Sequence, residues 1–210
     1  MKKKLLLLTL ALLLVAGMAG TGTFAYFQDT ETSTGNTFTA GTLDLKIKDG
    51  GLYWSDGIAT AEWALSNMKP GDTAYGSVDL KNFGSVYANH MEITCDYTIT
   101  DPPGPESDTE ENTPAGKMAG EMAIITMTYT YNSTEVNCLP LITDANLNGV
   151  KDLYDLKVGG GVDNLPLVQS GTQFGRLDMI VQFNPNASND FQGDTLNLTV
   201  IFTLNQDASQ

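Results

Sequence analysis

The residues best suited to chemistry lie in one segment, Asp144–Asp155 (D-A-N-L-N-G-V-K-D-L-Y-D). Oxygen-bearing side chains stand at its first, third, fifth, ninth and twelfth positions, and the seventh position offers a backbone carbonyl. The six residues that could supply ligands are Asp144, Asn146, Asn148, Val150, Asp152 and Asp155. This is the spacing of a 12-residue calcium loop, in which hard oxygens surround a hard cation and a glycine at position six, here Gly149, permits a sharp turn. The pattern predicts a bound Ca²⁺ ion.

The last position of this loop departs from the commonest calcium pattern. Asp155 stands where an EF-hand usually has glutamate, so the loop is closer to dockerin-type loops, which use aspartate there. A shorter side chain and three formal carboxylates predict moderate rather than tight affinity. The alternative is an Asn- and Asp-rich loop whose side-chain oxygens cap the following helix.

Other catalytic chemistry has little support in the sequence. A catalytic zinc ion needs about three protein ligands, usually including histidine. The chain has one histidine, His90, and no H-E-x-x-H motif. Motifs for a serine nucleophile or a phosphate-binding loop are also absent from the sequence. We therefore predict no catalytic residues and no enzyme activity, although chemistry built from carboxylates alone stays open.

Two further residue types, cysteine and asparagine, could carry covalent modifications. Cys95 and Cys138 are the two cysteines. In an exported chain they could form one bridge closing a loop of about 40 residues, worth about 3–4 kcal/mol in the chain-entropy model. The alternative is two small buried thiols. Asn132 and Asn186 begin N-x-S/T motifs at predicted strand ends and are candidate glycosylation sites, whereas Asn197 begins one inside a strand.

Strands must position these residues, because apolar and polar side chains alternate along most of the chain. Such alternation places one face on a core and the other in water. Six segments show it clearly: Thr42–Lys48, Val78–Asn82, Met91–Thr100, Ile124–Tyr131, Leu177–Phe183 and Leu196–Leu204. Weaker strands are predicted at Leu52–Trp54, Ala61–Leu65 and Val162–Leu167. Many short strands divided by Gly, Pro and Asn turns predict an all-β, two-sheet, jelly-roll-like β-sandwich.

Two segments depart from the strand pattern. The first is one short helix, from Asn148 or Gly149 to Lys157, ended by a run of three glycines that favours helix termination. The second is an acidic, proline-rich loop at Asp101–Ala119. Proline removes backbone donors and the acids repel one another, so no regular structure is expected there.

The N-terminus predicts export. Lys2–Lys4 precede an unbroken apolar run, Leu5–Val15, and small residues follow as far as Ala25. This arrangement is typical of a secretory signal peptide spanning residues 1–25. An uncleaved membrane anchor is the alternative, but glycines dilute the run below the roughly 20 apolar residues that a span requires. The predicted mature chain comprises an N-terminal arm, residues 26–37, and one β-sandwich domain, residues 38–210.

The net charge excludes one class of partner. The whole chain carries a formal charge of −14, and removing the three leader lysines would take it to −17. Nucleic-acid-binding proteins carry basic patches, so nucleic acid is not an expected partner. An acidic surface favours solubility and attracts divalent cations.

Several short motifs resemble one family in the same order along the chain. After the leader come Tyr26–Phe27 and Phe38–Leu45 (F-T-A-G-T-L-D-L), followed by the segments Met68–Asp72, Lys81–Ser85, Asp144–Leu147, Asp152–Tyr154 and Gln182–Leu198. Together they resemble the TasA and camelysin family of biofilm-fibre proteins. The resemblance implies a jelly-roll fold, export through a dedicated signal peptidase, and fibre formation. It also brings the metallopeptidase label of camelysin-type members, which one histidine does not support.

The combined prediction is a secreted structural subunit of extracellular or biofilm-matrix fibres. Sheet edges expose unpaired backbone groups, so the arm carrying Tyr26 and Phe27 could add a strand to the next subunit, head to tail. Expected partners are further copies of the chain, the signal peptidase, and accessory or anchor proteins at the cell surface or in the matrix. The alternatives are a monomeric secreted calcium-binding module and, third, a camelysin-like metalloendopeptidase.

Overall fold

A computed structural model describes residues 42–48, 52–56, 63, 68–100, 117–166, 173–188, 191 and 194–206. The chain divides into two compact units, Met1–Thr39 and Ala40–Gln210, and every described residue belongs to the second. The predicted signal peptide, the arm with Tyr26 and Phe27, the predicted strand Ala61–Leu65 apart from Trp63, and residues 101–116 of the acidic loop lie outside the described residues. What the sequence indicates for them stays a prediction.

The described residues form eight strands, separated by turns where the alternating pattern breaks. Their bounds are β1 Leu45–Lys48, β2 Thr73–Asn82, β3 His90–Thr100, β4 Met122–Tyr131, β5 Thr134–Asn137, β6 Val162–Leu165, β7 Gly175–Phe183 and β8 Thr195–Asn205. Each of the six clearly alternating segments contributes to a strand. The predicted strand at Leu52–Trp54 is wrong, because these residues form bends and Ser55 makes an isolated bridge with Ile47.

The strands form two antiparallel sheets. The larger has the order β1-β2-β7-β4-β5, and the smaller has the order β6-β3-β8. Inward-facing side chains of both sheets share one core, including Leu80 on β2, Ile93 on β3, Met127 on β4 and Met179 on β7, all fully buried. The prediction of an all-β, two-sheet sandwich is confirmed.

The helix lies later in the chain than predicted. Helix α2 spans Leu153–Val158, because the Asp152 side chain accepts a hydrogen bond from Asp155 N and caps the first turn. The residues before it include Leu147 and Gly149 with φ of 59° and 80°, a left-handed conformation that no helix contains. The oxygen-rich segment is therefore a loop as far as Asp152, and the helix begins at its tenth position.

Three short elements were not predicted, and one of them is a single 3₁₀ turn at Leu139–Leu141. Helix α1 spans Lys117–Gly120, at the end of the segment expected to lack regular structure, because Met118 and Ala119 are buried in the core. Strand β5 follows β4 through a turn at Asn132 and Ser133, which both have positive φ. Such turns suit tight antiparallel hairpins, but the sequence signal is weak without the usual glycine.

Candidate functional site

The structure draws the predicted calcium ligands into one hydrogen-bonded loop. The side-chain amides of Asn146 and Asn148 both donate to Asp152 Oδ2, at 2.9 and 3.0 Å. The Asp144 carboxylate accepts hydrogen bonds from the backbone N–H groups of Asn148 and Gly149, at 3.2 and 3.0 Å. The loop thus curls around its own oxygen-bearing side chains, with Gly149 in the left-handed conformation expected at position six.

The twelfth position of the loop has an unusual carboxylate. Asp155 Oδ1 accepts hydrogen bonds from the backbone N–H groups of Ala145 and Asn146, at 2.8 and 3.3 Å. Its other oxygen, Oδ2, is buried and has no hydrogen-bond partner. The side chain of Asp155, the last residue of the loop, therefore binds the first turn of the loop through Oδ1, while Oδ2 has no donor.

Two of the loop carboxylates are completely buried. Asp152 and Asp155 each have 0% of their surface exposed, and among the described residues neither forms an ion pair with a Lys, Arg or His side chain. Burial raises the pKa of Asp152, against the opposing effect of its hydrogen bonds from Asp155 N and the two Asn amides. A buried aspartate without a cation is rare, because desolvating the charge is costly.

The loop is anchored to both sheets. Asp152 forms an isolated bridge with Ala123 on β4, and the Lys151 carbonyl accepts a hydrogen bond from Ile124 N at 2.7 Å. Helix α2, which begins directly after the loop, buries Leu156 in the core, and its Lys157 pairs with Asp96 on β3 at 2.6 Å. Any ion held by the loop would therefore act on a junction between the two sheets.

The cysteines do not form a bridge in this structure. Cys95 and Cys138 are both buried, with separate thiols; whether the exported protein forms the bridge stays a prediction. Burial raises the pKa of the Cys95 thiol to about 12 and that of Cys138 to about 11. Both are far from the thiolate form that a nucleophile requires.

The glycosylation candidates are accessible. Asn132 is exposed in the turn between β4 and β5, Asn186 is exposed after β7, and Asn197 is exposed on the outer face of β8. Accessibility alone does not test whether a glycan is attached, so this remains a prediction.

A second cluster was missed by sequence reasoning. His90 Nε2 lies 3.2 Å from Glu92 Oε1 and 3.3 Å from Asp163 Oδ1, so one atom from each residue falls within a sphere small enough for a metal ion. His90 and Glu92 share a face of β3 because they are two residues apart. Asp163 comes from β6, where the register with β3 shifts between Met91 and Ile93. The sequence shows the H-x-E spacing of His90 and Glu92. It does not show the register shift between β3 and β6 that accompanies the approach of Asp163.

Among the described residues, β8 is the longest strand at the edge of a sheet. Within the described residues it pairs with β3 alone, and its eleven residues contain no charge, proline or glycine. Natural edge strands usually carry lysine, proline or a bulge, or are very short, because an open edge invites pairing with another chain. The three other edge strands that the structure describes are only four residues long, and β1 (L-K-I-K), β5 (T-E-V-N) and β6 (V-D-N-L) each contain a charge.

The core is incompletely covered along this edge. The inward-facing side chains of β8 are only half-buried: Leu196, Leu198, Val200, Phe202 and Leu204. Across the pair, Met91 and Ile93 on β3 are fully buried, although they are the direct partners of Leu204 and Phe202. Along β8 therefore runs an apolar strip, beside a strand edge that pairs with no other strand among the described residues.

These features define an antiparallel β-sandwich whose long strand β8 is a sheet edge within the described residues, together with a separate oxygen-rich loop. The chain belongs to the camelysin metallo-endopeptidase family, whose sequence model matches residues 1–210. It is also 35% identical over 97 residues to a Bacillus subtilis (strain 168) protein described as "Major biofilm matrix component". That match covers 46% of this chain and 33% of the relative, so the chain spans about a third of the relative's length. The resemblance to the TasA and camelysin family is confirmed.

The family description implies a catalytic metal, and the His90 cluster is where the described residues could hold one. The cluster supplies three atoms of suitable type, the number of protein ligands in a catalytic zinc site. Both carboxylates would then be ligands, and among the described residues no fourth His, Cys, Asp or Glu belongs to this group. His90 Nδ1 is buried and has no hydrogen-bond partner, whereas the second ring nitrogen of a zinc-bound histidine usually donates to one. With one histidine and two carboxylates, this cluster does not fit the usual histidine-rich ligand set of a catalytic zinc ion.

Among the described residues, no helix is both long and apolar enough to span a membrane.

Proposed function

We propose that this protein is a secreted structural component of an extracellular matrix, whose subunits join by adding a strand to β8. Membership of the whole chain in the camelysin family and its similarity to a biofilm matrix component support the structural role. In the proposal the chain acts by assembly and catalyses no reaction. The predicted signal peptide, residues 1–25, would direct export.

The observation that carries this proposal is the character of β8. An eleven-residue edge without charge or proline, beside a half-buried apolar strip, is what β-augmentation needs. Backbone hydrogen bonds to an added strand provide affinity, and side chains entering the strip provide specificity. The added strand would also bury the apolar surface that β8 leaves partly in water.

The proposed donor is the segment that follows the predicted cleavage point, Tyr26–Phe38 (Y-F-Q-D-T-E-T-S-T-G-N-T-F). Its 13 residues are enough to run alongside β8, since an extended strand advances about 3.3 Å per residue. The segment contains no proline, and the aromatic side chains of Tyr26, Phe27 and Phe38 could fill the apolar strip. A donor from one copy and an acceptor on the next generate a head-to-tail filament.

Cleavage of the leader would control assembly. While residues 1–25 are attached, the arm is tethered at its first residue to an apolar segment that remains with the export machinery. Removal of the leader frees Tyr26 and Phe27 and leaves the arm free to reach another copy. Assembly would thus begin only outside the cell.

Deleting Tyr26–Gly35 from the mature protein tests the proposal. We expect the deletion variant to keep the β-sheet circular dichroism spectrum and to remain monomeric by light scattering, while the unmodified mature protein forms filaments in negative-stain images. Adding a synthetic Tyr26–Phe38 peptide should give saturable binding, and a scrambled peptide should not. Abundant filaments from the deletion variant would reject donor-strand assembly. A mature protein that stays monomeric at high concentration would instead favour the secreted binding-module alternative.

A further inference from the structure

We propose that the loop Asp144–Asp155 binds one calcium ion, which holds the junction between the two sheets in its native arrangement. The ligands would be one oxygen each from Asp144, Asn146, Asn148 and the Val150 carbonyl, with the buried carboxylates of Asp152 and Asp155. This inference is independent of strand addition at β8, because it uses none of the residues of that edge.

Buried charge is the first argument for an ion. Asp152 and Asp155 lie three residues apart, are both fully buried, and have no cationic side chain as a partner among the described residues. Two carboxylates in such a setting repel each other and have lost their hydration. A divalent cation would compensate both charges.

The second argument is the unused oxygen of Asp155. Its carboxylate is fixed against the start of the loop, since Oδ1 accepts from Ala145 N and Asn146 N, while Oδ2 is buried and has no partner. A helix-capping role would not explain this oxygen, because Asp152 is the residue that caps α2. A buried acceptor without a donor is costly, and a metal–oxygen bond would satisfy it.

The ligand types select the ion. All six candidate donors are oxygens, and one of them is a backbone carbonyl, the set that calcium prefers over zinc or copper. Magnesium demands a tighter octahedral geometry and retains several waters, which a loop of flexible amides and shared carboxylates does not favour. In the calcium form the Asn146 and Asn148 side chains would turn, exchanging their present hydrogen bonds to Asp152 for oxygen–metal bonds.

The connections of the loop determine what the ion would do. Lys151 and Asp152 are joined to the start of β4, and α2 continues from the loop into the core and pairs with β3 through Lys157. An ion that fixes both ends of the loop would therefore restrain β4 and α2 together. Calcium should raise the thermal stability of the whole sandwich rather than order one surface loop.

Calorimetric titration of the chelator-treated mature protein with CaCl₂ provides the direct test. We expect one calcium ion per chain with a Kd on the order of 10⁻⁴ M, the range of extracellular modules. MgCl₂ should bind at least tenfold more weakly. With calcium at about 100 times Kd, Tm should rise by on the order of 5 °C.

Two matched variants locate the ion. Asp155→Asn keeps the shape and the acceptor for Ala145 N but removes the charge, so it should weaken calcium binding at least tenfold. Its Tm in chelator should equal or exceed that of the unmodified protein, because a buried unpaired charge has been removed. Asp163→Asn, in the His90 cluster, is the control and should leave calcium affinity unchanged.

Each contrary outcome overturns the proposal. Absence of both heat and a Tm shift at millimolar calcium would mean that the loop serves only to cap α2. Binding that survives Asp155→Asn but disappears in Asp163→Asn would place the ion in the His90 cluster. An Asp155→Asn variant that melts well below the unmodified protein in chelator would show that the carboxylate has a structural role without metal.

Discussion

Cys95 and Val200 are direct partners across β3 and β8, yet the cysteine is only 3% exposed and the valine remains half-buried. Their side chains point to the same side of the sheet, so the difference is not one of orientation. The inward-facing side chains of β3 are covered completely by the core, whereas those of β8 remain partly exposed. An additional strand beside β8 would cover this remaining apolar surface.

A lysine in place of Val200 should prevent assembly without unfolding the subunit. In Val200→Lys the long stem can keep its ammonium group in water as long as β8 is an edge, but an added strand would bury the charge. We expect a loss of filaments in negative-stain images, with a Tm within a few degrees of the unmodified protein. Val136→Lys is the matched control, because Val136 is half-buried on β5, the edge of the other sheet. Equal loss of filaments in both variants would contradict a specific role for β8.

The calcium effect should depend on pH. Burial raises the pKa of Asp152, whose neighbours include the charge of Asp155 and the thiol of Cys95. Because the folded-state pKa lies above the unfolded one, this group makes the calcium-free protein less stable as pH rises through that range. Calcium needs the deprotonated carboxylate, so the difference in Tm between calcium and chelator should shrink from pH 7 to pH 4. A difference that stays constant over this range would contradict coordination by Asp152.

The cysteines should be unreactive in the folded protein. The raised pKa values of Cys95 and Cys138 and their burial leave almost no accessible thiolate at pH 8. Mass spectrometry after iodoacetamide treatment should find no label on the native secreted protein and two labels after denaturation without reductant. Two labels that appear only after reduction would show that the exported protein has formed a disulfide after all.

Helix α2 should contribute to stability through one side chain. Leu156 is fully buried, so Leu156→Ala should reduce the free energy of unfolding by about 2–5 kcal/mol, through lost burial and the remaining cavity. Val158→Ala is the control on the same helix, since Val158 is 53% exposed and should cost less than about 1 kcal/mol. Denaturant titration measures both values. A small effect of Leu156→Ala would mean that α2 is not part of the cooperative core.

The purified protein should show no peptidase activity, even with added zinc. In the His90 cluster both carboxylates would be metal ligands, and no fourth His, Cys, Asp or Glu among the described residues belongs to the group. Cleavage of a fluorescent casein, with a known zinc peptidase as the positive control, checks this expectation. Activity that disappears in Glu92→Gln would contradict it and would assign the His90 cluster as the centre.

The strands and the oxygen-rich loop could be predicted because their signals are local. Alternation over Met91–Thr100 and Leu196–Leu204 correctly indicates two strands with one buried face. It does not indicate which strand lies inside the sheet, because Cys95 and Val200 occupy equivalent places in similar patterns. That difference depends on neighbours far away in the chain.

The features that the sequence did not predict also depend on residues that are far apart in the chain. Asp163 reaches His90 only through an irregular pairing between β6 and β3, and a short helix such as α1 forms because the core has room for Met118. The late start of α2 is the exception, since Asp152 was already recognisable as a capping residue. With Asp152 as the N-cap, the helix begins at Leu153, as the structure has it.

Among the described residues the sandwich has four edge strands, of which β8 alone is long and uncharged. A filament built on β8 would therefore contain one donor and one acceptor per joint, and its two ends would differ. One end would present an unfilled β8, and the other a free arm. A copy that lacks the arm could still accept a donor strand at its own β8 but could not donate a strand to another copy. A small proportion of such trimmed subunits would therefore limit filament length.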